Sequence, residues 1–201
     1  MISMNFILSK ENLTLMDSKR DLKKALEIIE QGNFLSLPVI EENNFIGVIS
    51  KEKILQATID GNDSIKYVYQ IARKDIPSLT IEDDMEEAAL LLAETNTPFV
   101  AVNDIYGSFL GIITHKTIFK HYAHILGINK GHKLVITSYD IKGRLALLTD
   151  IIARGGGNIL SLVIDNPNVS TNVVKIIVRL ECQDIERLKN TIEESGFSIR
   201  I

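Results

Sequence analysis

What most constrains the fold of this 201-residue chain is an internal repeat: one pattern occurs twice, 63 to 64 positions apart, and then stops. Leu8-Ser9-Lys10-Glu11-Asn12-Leu13 lies over Ile71-Ala72-Arg73-Lys74-Asp75-Ile76, and Leu22, Ala25, Leu26 and Ile29 lie over Met85, Ala88, Ala89 and Leu92. Further on, Gly47-Val48-Ile49-Ser50 lies over Gly111-Ile112-Ile113-Thr114, with Ile54 and Leu55 over Ile118 and Phe119. The offset grows by one between these anchors, so the second copy gained a residue. A unit this long that occurs only twice implies two similar α+β units packed as a pair. Function is then expected at the seam between the copies.

Each copy reads as strand, helix, strand, strand, helix. Asp21 precedes an apolar stripe at Leu22, Ala25, Leu26 and Ile29, the spacing of one helix face, and Gly32-Asn33 ends it. Strands are expected over Phe34 to Ile40 and Phe45 to Ile49, joined by the polar turn Glu41 to Asn44. A second helix starts near Ser50, a good N-cap, with its apolar side at Ile54, Leu55 and Ile59. The second copy repeats this with a helix over Met85 to Glu94, strands over Phe99 to Val102 and Phe109 to Ile113, and a helix from Thr114. Gly61-Asn62-Asp63-Ser64 is the polar joint between the copies.

On these residues the chain resembles a tandem pair of cystathionine-β-synthase (CBS) domains. Leu37-Pro38-Val39-Ile40 with Gly47-Val48-Ile49-Ser50 carries the resemblance in the first copy, and Val100-Ala101-Val102-Asn103 with Gly111-Ile112-Ile113-Thr114 in the second. The resemblance implies clefts that take AMP, ATP, a cyclic dinucleotide such as cyclic-di-AMP, or a related adenosyl compound. A hydroxyl residue at a helix start offers amides, a hydroxyl and a positive dipole end to phosphate. By the resemblance the nucleotide contacts are Pro38, Val39, Ser50 and Lys53 in one copy and Ala101, Val102, Thr114, His115, Lys116 and Thr117 in the other. The family's ribose-binding Asp is replaced by Lys53 and by Thr117, and an ammonium cannot accept hydroxyl protons. Either Lys53, His115 and Lys116 meet additional phosphate charge, which favours a polyphosphate or cyclic dinucleotide over AMP, or they are solvated helix residues. Ala101 stands where the first copy has Pro38, so unequal clefts are expected.

From Lys133 the repeat is gone. The pattern is a strand over Leu134 to Tyr139, a helix over Arg144 to Arg154, strands over Ile159 to Ile164 and Val173 to Leu180 around the turn Asp165 to Asn168, a helix over Ile185 to Ser195 and a strand over Phe197 to Ile201. This is the ferredoxin-like βαββαβ order. Asp140-Ile141-Lys142-Gly143-Arg144-Leu145 with Asn158-Ile159 resembles the loop and second strand of an ACT domain. That resemblance implies an amino-acid site at those residues or a dimerisation surface. Gly155 to Gly157 follow a helix and read as its C-terminal turn rather than a phosphate loop. The expected division is 1–62 and 63–131 for the CBS domains and 132–201 for the ACT domain, with overall class α+β.

The net charge of -4 argues against a nucleic-acid surface. The charge is uneven: residues 1 to 132 hold 13 basic and 18 acidic side chains, residues 133 to 201 hold 9 and 8. No apolar run approaches the roughly 18 residues of a membrane span, and no leader pattern opens the chain, so a cytoplasmic protein without membrane partners is expected. The lone Cys182 excludes a disulfide framework, and His121 and His124 lack the companions of a metal site. No nucleophile–base pair or paired acid stands out. The order of domains is similar to bacterial acetoin-utilisation (AcuB-type) regulators and to cyclic-di-AMP-binding CBS-ACT proteins. The expectation is a non-enzymatic homodimer that senses a nucleotide, needs no cofactor and acts on a protein partner of unspecified kind. The alternatives are a constitutive scaffold or accessory subunit with degenerate clefts, or amino-acid sensing by the ACT domain.

Overall fold

The computed structural model describes residues 1–60, 64–166 and 172–200, in two compact units, Met1–His121 and Tyr122–Ile201. Expectations for Gly61 to Asp63, Pro167, Asn168 and Ile201 lie outside the described residues. The mixed α+β class is as expected.

In the first unit the elements are β1 (Leu8–Ser9), β2 (Met16–Asp17), α1 (Leu22–Gln31), β3 (Ser36–Glu41), β4 (Asn44–Ser50) and α2 (Lys51–Ile59), then β5 (Ser78–Thr80), α3 (Met85–Glu94), β6 (Val100–Asn103), β7 (Phe109–Ile113) and the first turns of α4 (His115–Ile125), whose last four residues belong to the second unit. Asp21 caps α1 by accepting from the Lys23 and Lys24 amides, and Asp84 caps α3 by accepting from Glu87. Gly32 ends α1, and Asn33 takes the left-handed turn (φ 52°) that follows. The β3–β4 turn is tighter than expected: Glu41 and Asn44 already pair, so Glu42 and Asn43 alone make it, with Glu42 at φ 56°. Ile54 is buried as expected, but Leu55 is 38% and Ile59 82% exposed. These two lie one turn apart on a flank of α2 that the sheet does not cover.

Neither copy completes its sheet from its own residues. In the first, β2-β3-β4, the inner pair is antiparallel and β2 joins β3 in parallel; the second copy contributes Arg73, which bridges Val48 through paired hydrogen bonds of 2.9 and 2.8 Å. The second copy has the sheet β1-β7-β6-β5, in which β1 comes from the start of the chain and sets Leu8 against Ile112 and Ser9 against Gly111. A shared core of Val48, Ile76, Phe99, Ala101, Phe109 and Ile112 fills the seam, with Phe45 stacked on Phe109 at 5.4 Å and edge-on to Phe99 at 5.9 Å.

The second unit holds β8 (His132–Tyr139), α5 (Arg144–Arg154), β9 (Asn158–Asp165), β10 (Val173–Glu181), α6 (Ile185–Glu194) and β11 (Ser198–Arg200). Its antiparallel sheet runs β11-β8-β10-β9, the ferredoxin-like order. Alternate residues Val174, Ile176, Val178 and Leu180 of β10 meet Leu148, Ile152, Leu188 and Ile192 of the helices in one core. Leu145, expected on the inner stripe of α5, is 37% exposed. Gly155 ends α5, and a Cβ there would press on Leu188.

The exchange in the first unit depends on two glycines. A Cβ at Gly47 would strike the Arg73 carbonyl, and one at Gly111 the Leu8 carbonyl. Gly47→Ala is expected to cost about 2–4 kcal/mol in urea denaturation, because backbone must move. Gly107→Ala, with open space around it but φ +89°, should cost only about 1 kcal/mol.

Candidate functional site

Because residues 70–73 run beside β4, a cavity of about 1410 Å³ opens between them and the start of α2. Leu35, Ser36, Val48, Ser50, six residues of α2, Gln70 to Arg73 and Pro98 line it, so both copies contribute. Ser50 sits where β4 ends and α2 begins. Its Oγ accepts from the Lys53 amide at 3.2 Å, while the Lys51 amide donates to the Leu35 carbonyl at 3.0 Å. The Ser50 O–H is left as a donor, at the positive end of a helix.

The lining carries three cations, Lys51, Lys53 and Arg73, against one carboxylate, Glu52. Lys51 lies 3.0 Å from Glu30. Arg73 donates to the Asn96 carbonyl at 2.7 Å and to Asp75 at 2.9 Å, and its hydrogen bond to Asp75 holds that carboxyl below its usual range. Lys53 is exposed and has no ion pair among the described residues. Leu35, Leu55, Ile59 and Val48 supply apolar wall, Leu35 at 86% exposure.

Of the residues expected to contact a nucleotide, Ser50 and Lys53 line the cavity. Pro38 and Val39 are buried in β3, and Ala101 and Val102 are fully buried in β6, so these side chains serve the core. Thr114 caps α4 and accepts from the Thr117 amide at 3.3 Å; Thr117 is 5% exposed, and its hydroxyl accepts from the Thr114 amide at 2.8 Å and donates to the Thr114 carbonyl at 2.9 Å. His115 and Lys116 are exposed on the first turn of α4, and none of these four belongs to the cavity wall. Sequence reasoning missed Leu35, Ser36, Lys51, Glu52, Gln56, Gln70 to Arg73 and Pro98. The usable signal was Leu55 and Ile59, apolar residues spaced i, i+4 beside the core stripe.

In the second unit Gly143 takes φ 87° and starts α5 without a side-chain cap. Asp140 and Lys142 are exposed beside it, Ile141 is 59% exposed, and the Asp140 amide donates to the Asn172 carbonyl at 2.9 Å. Arg144 stitches the unit together. It donates to Ser138 Oγ at 3.2 Å and to the Ser195 and Gly196 carbonyls at 3.4 and 2.6 Å, and its guanidinium lies 3.8 Å over the Phe197 ring. Asn158 opens β9 opposite Glu181, and Ile159 packs on the core.

The sequence pattern of the CBS domain matches residues 8–60 and 68–124, more than half of the chain. This protein belongs to the CBS domain family. Its solved likenesses include a CBS domain-containing protein from Bacillus anthracis (23% identity, TM-score 0.53, 62% of this chain and 94% of that one). CBSX2, a CBS-pair protein of Arabidopsis thaliana, is similar in complex with AMP (24%, 0.52, 60% and 95%). CbpB is similar both from Streptococcus agalactiae (17%, 0.54, 62% and 81%) and in complex with c-di-AMP (18%, 0.54, 61% and 85%). At these identities the likeness to the CBS pairs is one of fold. A homoserine O-acetyltransferase of Methanococcus vannielii is 26% identical over 111 residues, 54% of this chain, and the chain spans 22% of that protein's length. No helix among the described residues of this CBS protein is long and apolar enough to cross a membrane.

Arg144→Met should cost about 2 kcal/mol, since it removes charge-assisted hydrogen bonds and a cation–π contact. Faster hydrogen exchange in β11, beside the carbonyls it holds, is the measurement that separates this local loss from a general one.

Proposed function

We propose that this protein is a non-enzymatic regulator whose CBS pair senses an adenosine-containing nucleotide in the first copy's cleft. The observation that carries the reading is one cavity holding the Ser50 hydroxyl at a helix start, cations beside it and apolar wall at Val48, Leu55 and Ile59. Phosphate fits the first group and a purine ring the second. CBSX2 with AMP and CbpB with c-di-AMP support the ligand class. Thr114, His115 and Lys116 form a second, weaker candidate, because Thr117 is already used within its own helix cap. The acetyltransferase relative shares too little of its length to bring its activity here.

We further read 1–62 and 63–131 as the two CBS domains and 132–201 as an ACT-type module, in the manner of AcuB-type regulators. The βαββαβ order and the left-handed turn at Gly143 support that assignment. In this reading the protein is a cytoplasmic homodimer, and the ACT module pairs the chains or binds an amino acid at 140–145 and 158–159. A nucleotide transmits a signal to a protein partner to the extent that it binds two packings of the pair with different affinity.

Isothermal titration with AMP, ATP and c-di-AMP tests the reading. Ser50→Ala should weaken binding about tenfold, the worth of one hydrogen bond to a charged group, while Thr114→Ala should change it less than about twofold. A ligand at 100 times its Kd should raise stability by about 2.7 kcal/mol. Absence of heat and of thermal shift with all three would favour a constitutive scaffold.

A further inference from the structure

We infer that Lys53 makes the first cleft selective for ligands with more than one phosphate group, and that the site does not read a free ribose diol. This rests on the nucleotide reading above. A ribose diol is recognised through acceptors, whereas the Lys53 ammonium has three donors and no acceptor. Its place is fixed by the hydrogen bond from its amide to Ser50 Oγ, which sets it in the same helical turn as the hydroxyl that would take the first phosphate. Of the three cations in the wall, Lys51 pairs with Glu30 and Arg73 with Asp75, and among the described residues Lys53 is the one without an ion pair. The cavity, about 1410 Å³, has room for more than a nucleoside monophosphate; pockets for drug-sized ligands run to roughly 1,000 Å³.

Glu52 is the one carboxylate in the wall and, with the amide oxygen of Gln56, a competing candidate for a diol. It neighbours Lys53 in sequence, and adjacent helix residues point apart. If Lys53 selects charge, Glu52 is only a repulsive neighbour of the phosphates, and its neutralisation strengthens polyphosphate binding.

Titrations with AMP, ADP, ATP, c-di-AMP and 2′-deoxy-AMP decide the matter. The intact protein should bind ATP at least about tenfold more tightly than AMP, a preference that shrinks with added salt, and should bind AMP and 2′-deoxy-AMP alike. Lys53→Met should bring the ATP-to-AMP ratio near one, and Glu52→Gln should raise ATP affinity about two- to fivefold. The ratio between ATP and c-di-AMP tells a phosphate chain from a phosphodiester ring; because the two phosphodiesters of c-di-AMP carry no more charge than AMP, tight c-di-AMP binding with ATP bound no better than AMP would overturn the inference. Equal affinities for AMP, ATP and c-di-AMP in the intact protein, an unchanged ATP-to-AMP ratio in Lys53→Met, or loss of AMP binding in Glu52→Gln would overturn it while leaving nucleotide sensing intact. If no nucleotide binds the folded protein, the nucleotide reading itself fails.

Discussion

The repeated unit depends on a reciprocal loan of backbone between its copies. Arg73, near the start of the second copy, closes the first copy's sheet at Val48, and Leu8 and Ser9, near the start of the first copy, close the second copy's sheet at β7. At the two crossing points a Cβ would strike the neighbouring carbonyl, and Gly47 and Gly111 stand there. Neither copy is therefore a folding unit by itself. Removing one would strand sheet-edge amides of the other and expose the seam core around Phe45, Phe99 and Phe109.

The site follows from that arrangement. With Arg73 tied to Val48, the preceding residues Gln70 to Ala72 must run beside the end of β4, where α2 begins. The chain thus brings a foreign segment to a helix start whose amides are only partly used. Leu55 and Ile59 complete the wall because α2 buries a narrow face, represented by Ile54 alone among its fully buried residues. A helix with a wider buried face would have closed the cavity over.

Much of the fold was legible in the sequence because its signals are local. The stripe at Leu22, Ala25 and Ile29, the breaks at Gly32 and Gly155, and the alternation along 173–180 each depend on neighbours a few residues away, and each element appears within a few positions of expectation. Asp21, Asp84 and Ser50 cap helices by the same local rule. The site was half legible. Ser50 and Lys53 came from the repeated motif, but Gln70 to Arg73 and Pro98 reach the cavity only through the exchange between copies; the repeat of Leu8-Ser9-Lys10 in Ile71-Ala72-Arg73 marks the segments and not the strands they pair with. Pro38, Val39, Ala101 and Val102 belong to the same motif and are core residues, since a strand buried on both faces has no side chain to spare. Arg144 reads as the first residue of a helix; its bonds to 195 and 196 span some fifty positions and have no local signature.

The two helix starts show how a repeat diverges in chemistry while keeping its geometry. Both need their first amides satisfied, and both use a hydroxyl for the third amide: Ser50 for Lys53 and Thr114 for Thr117. They differ in what the third residue does with its side chain. Thr117 is short enough to fold back, and it spends its hydroxyl on the Thr114 amide and carbonyl, which leaves it buried and inert toward anything outside. Lys53 has no acceptor to offer the Ser50 amide, and the residue is exposed and lines the cavity instead. The same position thus closes one cap on itself and arms the other. The chemical difference between the two helix starts follows from the length and hydrogen-bonding capacity of a single side chain.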